Sequence, residues 1–220
     1  MPSSTVEDYL KCIYLEEERS GEALVPTGQI ASSLRVAPGT ATAMVKTLAD
    51  SGLVFYEPYF GVKLTDAGKQ LATHVLRRHR LVELFLVKVM GMNWSEVHTD
   101  AEILEHAVSD RLIERMDDML GRPSSDPHGD PIPTAGGEVS TPDYPSLLSC
   151  PIGRRVRVVR VIDQRTDFLQ LLESHGLKPG GHATVESHDE LTDTVHVAPE
   201  DGEALRLGFG AATRVLVQPV

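Results

Sequence analysis

VPTGQIASSLRVAPGTATAMVKTLADSGLV, residues 25–54, is the stretch that decides the fold. Thr27 can cap a short helix running through Leu34. A tight turn follows around Val36. A second helix then spans about Pro38 to Asp50, closed by Gly52. Two short helices joined by a tight turn make a helix-turn-helix. Upstream, Val6, Tyr9, Leu10, Ile13, Tyr14 and Leu15 recur at helical spacing over residues 4–20, with Ser3, Ser4 or Thr5 as cap and Gly21 as stop. Downstream, LVFYEPYFGVKLTDAG alternates and turns at Phe60-Gly61, which predicts a two-stranded wing.

Beyond the wing, Thr65-Asp66 opens a long helix that ends at Gly91. A further helix is predicted from about Asp100 to Leu120, and both carry broad apolar faces able to meet a partner subunit. Residues 121–149 are rich in Pro, Gly and Ser and read as a linker or an ordered loop. From Cys150 onward, RRVRVVRVI, HATVESHD, TVHVAP and TRVLVQPV are alternating and β-branched. They predict a small β-barrel with a short helix at DFLQLLESHG. Tyr9 and Trp94 read as core or interface aromatics.

The chain has 220 residues and a net charge of -11. Residues 1–75 carry six Lys or Arg against nine Asp or Glu, so even the helix-turn-helix region is acidic. Phosphate repels such a surface, so any DNA-binding reading has to account for the acids. Clustered carboxylates also bind divalent cations. No stretch approaches the ~20 apolar residues of a membrane span. The opening MPSSTVEDYL has acids where a secretory signal has bases, so a cytoplasmic protein with no membrane partner is expected. Cys12 and Cys150 are far apart and form no C-x-x-C, which argues against a disulfide framework or a cysteine-rich zinc site.

One short segment stands out chemically. In AEILEHAVSD, residues 101–110, Glu102 and His106 are four apart and Glu105 flanks them, with His98 four before Glu102. In RRHRLVE, residues 77–83, His79 and Glu83 are four apart. Side chains at that spacing share a helix face. A single Glu-His pair is ordinarily a solvated surface. Two on consecutive, otherwise apolar helices point to a divalent first-row metal. His74, His175, His182, His188 and His196 read as ordinary polar residues.

The order of helix-turn-helix, wing, RRHRLVE, VHTDAEILEHAVSD, DPHGDPIP and a small β domain resembles the diphtheria toxin repressor family of metal-dependent regulators. Its specific motifs are E-H-x-x-S-D at Glu105–Asp110 and P-H-G-x-P-I-P at Pro127–Pro133. The resemblance implies a chain that is mainly α with an added small β domain. Its parts would be a winged helix-turn-helix at 1–70, a helical metal-binding and dimerisation domain at 71–121, a linker at 122–149 and an SH3-like β-barrel at 150–220. It further implies a homodimer that represses transcription at a palindromic double-stranded DNA operator, with a divalent metal as corepressor.

Carried over by position, the primary metal site would be Asp8, Glu102, Glu105 and His106. The ancillary site would be His79, Glu83 and His98, completed in part of the family by Gln164, Asp167, Asp126 and His128. Iron-responsive relatives resemble this pattern with sulfur ligands at the positions of Asp8 and Glu102. Carboxylates there favour harder ions, so Mn²⁺ is expected, with Fe²⁺ second. Manganese-responsive relatives with two ions at the primary site often have a glutamate where this chain has Lys11. One primary ion and a separate ancillary one, about two per subunit, are expected.

In the second helix of the helix-turn-helix, Ala37, Gly39, Thr40, Thr42 and Ala43 allow close approach to DNA, with methyls for thymine and hydroxyls for phosphates or base edges. Lys46 and Lys63 suit phosphates, and Thr27 and Pro38 join this set. Two other readings stay open from the residues alone. One is a metallohydrolase, since H-x-x-E-H helices look superficially like E-x-x-E-H. The other is a winged-helix regulator of a small organic ligand.

Overall fold

The computed structural model describes residues 3–21 and 24–220. The chain forms two compact units. The first comprises Met1–His79, Glu105–Val108 and Pro133–Val139; the second comprises Arg80–Leu104, Ser109–Ile132 and Ser140–Val220.

The first unit begins with α1 (Ser4–Ser20), capped by Ser3, whose hydroxyl accepts from the Val6 amide. Gly21 ends the helix in the left-handed conformation. Next come α2 (Thr27–Ser33), α3 (Pro38–Asp50), β1 (Val54–Glu57) and β2 (Gly61–Leu64). The two strands pair antiparallel, Val54 opposite Leu64 and Glu57 opposite Gly61. Thr27 is the first residue of α2 and not its cap; Pro26 takes that place, where its missing amide hydrogen costs nothing. Leu10, Ile13, Ile30, Ala41, Val45, Leu48 and Val62 form a fully buried core. A short β-bridge joins Val25 to Val62, and Gly61 permits it: a Cβ there would sit 2.5 Å from the Val25 carbonyl oxygen.

Helix α4 (Asp66–Lys88) starts at Thr65, whose hydroxyl accepts from the Gly68 amide. It belongs to the first unit through His79 and to the second from Arg80. The second unit continues with α5 (Val97–Leu104) and α6 (Asp110–Met119). The single helix expected from Asp100 to Leu120 is therefore two. Glu105–Ala107 form a turn, and Ser109 adopts an extended backbone as the cap of α6. A serine at that position starts a new helix more readily than it continues an old one. The apolar periodicity runs across the break and conceals it.

Residues 121–149 are ordered without regular helix or strand, and Asp126, His128, Ile132 and Leu147 in them are buried. The β domain follows: β3 (Arg155–Val161), α7 (Thr166–Ser174), β4 (His182–Asp189), β5 (Thr194–Pro199), β6 (Leu205–Gly208), α8 (Phe209–Ala212) and β7 (Val215–Pro219). Its strands form one antiparallel sheet in the order β6-β5-β4-β3-β7. Val156, Val158, Val185, Val195, Val197, Val215 and Val217 bury alternate positions, with Leu169, Leu172 and Trp94 packed among them. Strand β6 and helix α8 are too short to announce themselves in sequence. The loop at 126–133 lies against β3, where the Val161 amide donates to the His128 carbonyl at 2.8 Å. Gly129, at φ 88°, makes this close approach possible, because a Cβ would lie 2.0 Å from the Val159 carbonyl oxygen.

Two outcomes follow for stability and reactivity. Gly129→Ala forces strain and a backbone clash, and is expected to lower unfolding free energy by about 1–3 kcal/mol or more; an unchanged denaturant midpoint would contradict the packing described. Cys12 and Cys150 are both buried free thiols. Burial, then the neighbouring Glu16 charge, pushes the Cys12 thiol up to about 12, and burial also raises Cys150. The reactive thiolate forms only above the raised pKa. Iodoacetamide at pH 8 should therefore label neither cysteine in the folded protein and both after denaturation.

Candidate metal centre

The start of α1 carries Glu7 in its first turn and Asp8 next to it, with Lys11 one turn after Glu7. The Glu105–Val108 turn belongs to the same unit and brings in a fully buried carboxylate and an imidazole. His106 Nδ1 lies 2.7 Å from Glu7 Oε2, and its Nε2 lies 2.9 Å from Asp8 Oδ1 and 3.4 Å from Glu105 Oε1. Lys11 Nζ donates to Glu105 Oε1 at 2.6 Å, and His79 Nδ1 meets Glu105 Oε2 at 2.5 Å. Donor atoms of Asp8, Glu105 and His106 all fall within 4.8 Å of one another.

Electrostatics show what this group can accept. Glu7, Asp8 and Glu105 bring three negative charges to one lysine and two imidazoles. Both ring nitrogens of His106 face carboxylates. Burial works to lower the His106 pKa, but the Glu7 hydrogen bond and the Glu105 and Asp8 charges outweigh it, so the net shift is upward. A surplus of inward-facing carboxylate oxygens around one imidazole suits a first-row divalent cation. Glu7 holds Nδ1 and so directs Nε2 toward Asp8 and Glu105, the usual role of an outer carboxylate on a ligating histidine.

A second group lies within the second unit. Glu83 on α4, Asp126 and His128 are all buried, with donor atoms within 4.8 Å of one another. His128 Nε2 donates to the Trp94 carbonyl at 2.8 Å, and the two rings stack at 5.5 Å. A carbonyl only accepts, so Nε2 must carry the hydrogen. In the neutral ring Nδ1 is then a lone pair, and it has no hydrogen-bond partner. It lies 3.7 Å from Glu83 Oε2 and 4.0 Å from Asp126 Oδ1. Burial works to lower the His128 pKa, but the Glu83 carboxylate and the Asp126 charge outweigh it, so the net shift is upward. A cation that displaced the Nδ1 proton would meet an imidazole lone pair and two carboxylates together. Burial, then the Asp130 and Glu83 charges, raises Asp126 to about 7. His98 Nδ1 lies 3.1 Å from Glu83 Oε1, and its Nε2 lies 3.6 Å from Glu102 on the same face of α5.

Several expected ligands thus have defined places. Asp8, Glu105 and His106 come together, as do Glu83, Asp126 and His128. The helical spacing that related Glu102 to His106 does not hold, because α5 ends at Leu104. Gln164 donates to Asp130 at 2.7 Å, and Asp167 is exposed and accepts from the Phe168 amide at the start of α7. The buried trio of Glu83, Asp126 and His128 does not include them. Sequence reasoning missed Glu7 and the Trp94 carbonyl. Adjacency to Asp8 in an acidic first turn was a signal for Glu7; a backbone carbonyl leaves none.

On the DNA-facing candidates, Ala37, Pro38, Gly39, Thr40, Ala43, Lys46 and Lys63 are exposed, and Thr27 and Thr42 are half-buried. The Thr42 hydroxyl donates back to the Pro38 carbonyl at 2.9 Å, which leaves it only as an acceptor for other partners. Phe55, Tyr59 and Phe60 are exposed on the wing.

Comparison with known proteins agrees along the chain. Residues 1–62 match the iron dependent repressor N-terminal DNA binding domain, 65–134 the iron dependent repressor metal binding and dimerisation domain, and 146–219 the FeoA domain. The iron-dependent repressor IdeR of Mycobacterium leprae is 32% identical over 196 residues, covering 83% of this chain and 84% of IdeR. A solved manganese-dependent transcriptional repressor in complex with manganese is 40% identical at TM-score 0.86, covering 98% of this chain and 100% of that one. ScaR with bound Zn²⁺ is 33% identical at TM-score 0.77, with both chains fully covered.

Glu7→Ala removes the group that orients His106. Divalent-ion affinity is expected to fall about 10–100-fold, as for other outer-carboxylate substitutions. Titration calorimetry with Mn²⁺ checks this, and an unaltered isotherm would mean that Glu7 orients nothing.

Proposed function

The chain belongs to the iron-dependent repressor family of metal-dependent, DNA-binding transcriptional repressors, and from that premise we propose that Mn²⁺, with Fe²⁺ second, is its corepressor at Asp8, Glu105 and His106. The observation that carries this reading is the convergence of those three donors from α1 and the 105–108 turn. The donor set is rich in carboxylate and lacks thiolate or thioether, which favours a harder ion. Glu102 is assigned to the same ion on the sequence pattern E-x-x-E-H alone. Glu83, Asp126 and His128, with His98, are assigned to a second ion, giving about two per subunit. His79 is a positioning residue that holds Glu105. The family is one of repressors and not of enzymes, so the hydrolase reading is set aside.

A bound divalent ion supplies the positive charge that offsets the converging carboxylates. The chain's own residues relate that site to DNA. Asp8 stands near the start of α1, and Glu16 near its end. Glu16 is buried and accepts from Ser33 on α2 at 2.7 Å, and from Gln29 and Arg19. Fixing the start of α1 therefore fixes the helix that carries α2 and α3. Less orientational freedom remains to be lost when α3 meets the major groove. Exposed Ala37, Gly39, Thr40 and Ala43 then approach base edges, while Lys46 and Lys63 approach phosphates. In a homodimer, two such domains read a palindrome with half-sites about one helical turn apart or a multiple of it. Exposed Ile103, Leu104, Leu112 and Met119 supply apolar surface for subunit pairing.

The test is binding to promoter fragments at a fixed, stated salt concentration, with Mn²⁺, Fe²⁺, Zn²⁺ or chelator. Tight binding is expected with Mn²⁺ and not with chelator. Glu105→Gln together with His106→Ala should abolish the metal response. Equal binding by metal-free and metal-loaded protein would overturn the reading, and absence of saturable Mn²⁺ binding would favour a regulator of an organic ligand.

A further inference from the structure

Lys11 sits inside the carboxylate group just described. It is buried, and its ammonium is 2.6 Å from Glu105 Oε1. That oxygen is also 3.4 Å from His106 Nε2, the nitrogen that faces Asp8. The other oxygen of Glu105 is held by His79 at 2.5 Å. Both oxygens of the most deeply buried carboxylate in the site are therefore already engaged by cationic or proton-bearing nitrogens.

A buried lysine is rare unless paired, and here its partner is a proposed metal ligand. An ammonium and a divalent ion on one carboxylate oxygen repel each other, the more so where the lysine and the carboxylate are both buried. Lys11 is tethered to α1 by its own side chain, so it stays near the site at every metal concentration. We propose that Lys11 is a built-in competitor for Glu105: it neutralises that carboxylate in the metal-free protein, must yield its oxygen when the ion binds, and so sets the metal concentration at which the site fills. This rests on the reading of Asp8, Glu105 and His106 as the primary site. It adds that the response threshold is tuned by a residue that is not a ligand.

The experiment is Mn²⁺ titration calorimetry and thermal melting of the full chain, with Lys11→Met, Lys11→Arg and Glu105→Gln alongside wild type. Wild type should show a Mn²⁺ isotherm that Glu105→Gln removes. Lys11→Met should bind Mn²⁺ about tenfold more tightly or better, because a nearby repelling charge is gone. Its metal-free form should melt lower, because Glu105 is left buried without its cation. Lys11→Arg should keep both wild-type values. If Lys11→Met does not fold without metal, Lys11→Gln serves, and the rise in melting temperature on adding Mn²⁺ is read instead; it should exceed that of wild type. Affinity or melting shifts no greater than wild type in the neutral variants would overturn the proposal while leaving the site reading intact. A wild-type isotherm indifferent to Glu105→Gln would overturn both.

Discussion

The proposed metal site in the first unit turns on the burial of Glu105. A carboxylate with no solvent access is stable only if positive charge or hydrogen-bond donors replace the lost water. The fold supplies Lys11 on one oxygen and His79 on the other. Asp8 and Glu7 then close around His106, adding more negative charge than these groups offset. The arrangement holds together in the absence of an ion and still has a strong use for one. A responsive corepressor site needs that balance: a group fully satisfied by protein would ignore metal, and one wholly unsatisfied would not fold.

In the proposed mechanism, the position of α1 links that balance to DNA binding. One end of the helix carries Asp8, and the other end carries Glu16, whose buried carboxylate gathers Ser33, Gln29 and Arg19. The helix-turn-helix packs on α1 through Leu10, Ile13 and Ile30. A change at the first turn of α1 is thus carried by a rigid element and not by a flexible chain. The acidity of the region, an objection to DNA binding when counted as net charge, has a local explanation. Part of the acid is drawn into the site around His106, while Lys46 and Lys63 remain exposed.

Much of this was legible in the sequence, for identifiable reasons. Pro38 and Gly52 mark α3 because proline and glycine act on the backbone directly. Thr65 marks the start of α4 by capping chemistry. The β-strands from Arg155 onward announce themselves by alternation, except β6, whose four residues are too few to show a period. The break between α5 and α6 was hidden, because apolar residues continue in step across it and only Ser109 hints at a new start. That break matters most, since it frees Glu105 and His106 from a helix face and lets them join the first unit. The candidate ligands were readable as residue types. Their grouping was not, because Asp126 and His128 come from irregular chain whose course no periodicity describes. Gln164 and Asp167 were plausible by chemistry; in this structure Gln164 donates to Asp130 and Asp167 accepts from the Phe168 amide.

The central claim is that one divalent cation is held jointly by the opening helix and the 105–108 turn. The most direct measurement is an anomalous-difference map from crystals of the manganese-loaded protein. The account predicts a peak bonded to the carboxylates of Asp8 and Glu105 and to Nε2 of His106. A fully loaded crystal with no peak there, or with manganese only beside Glu83 and His128, would contradict it.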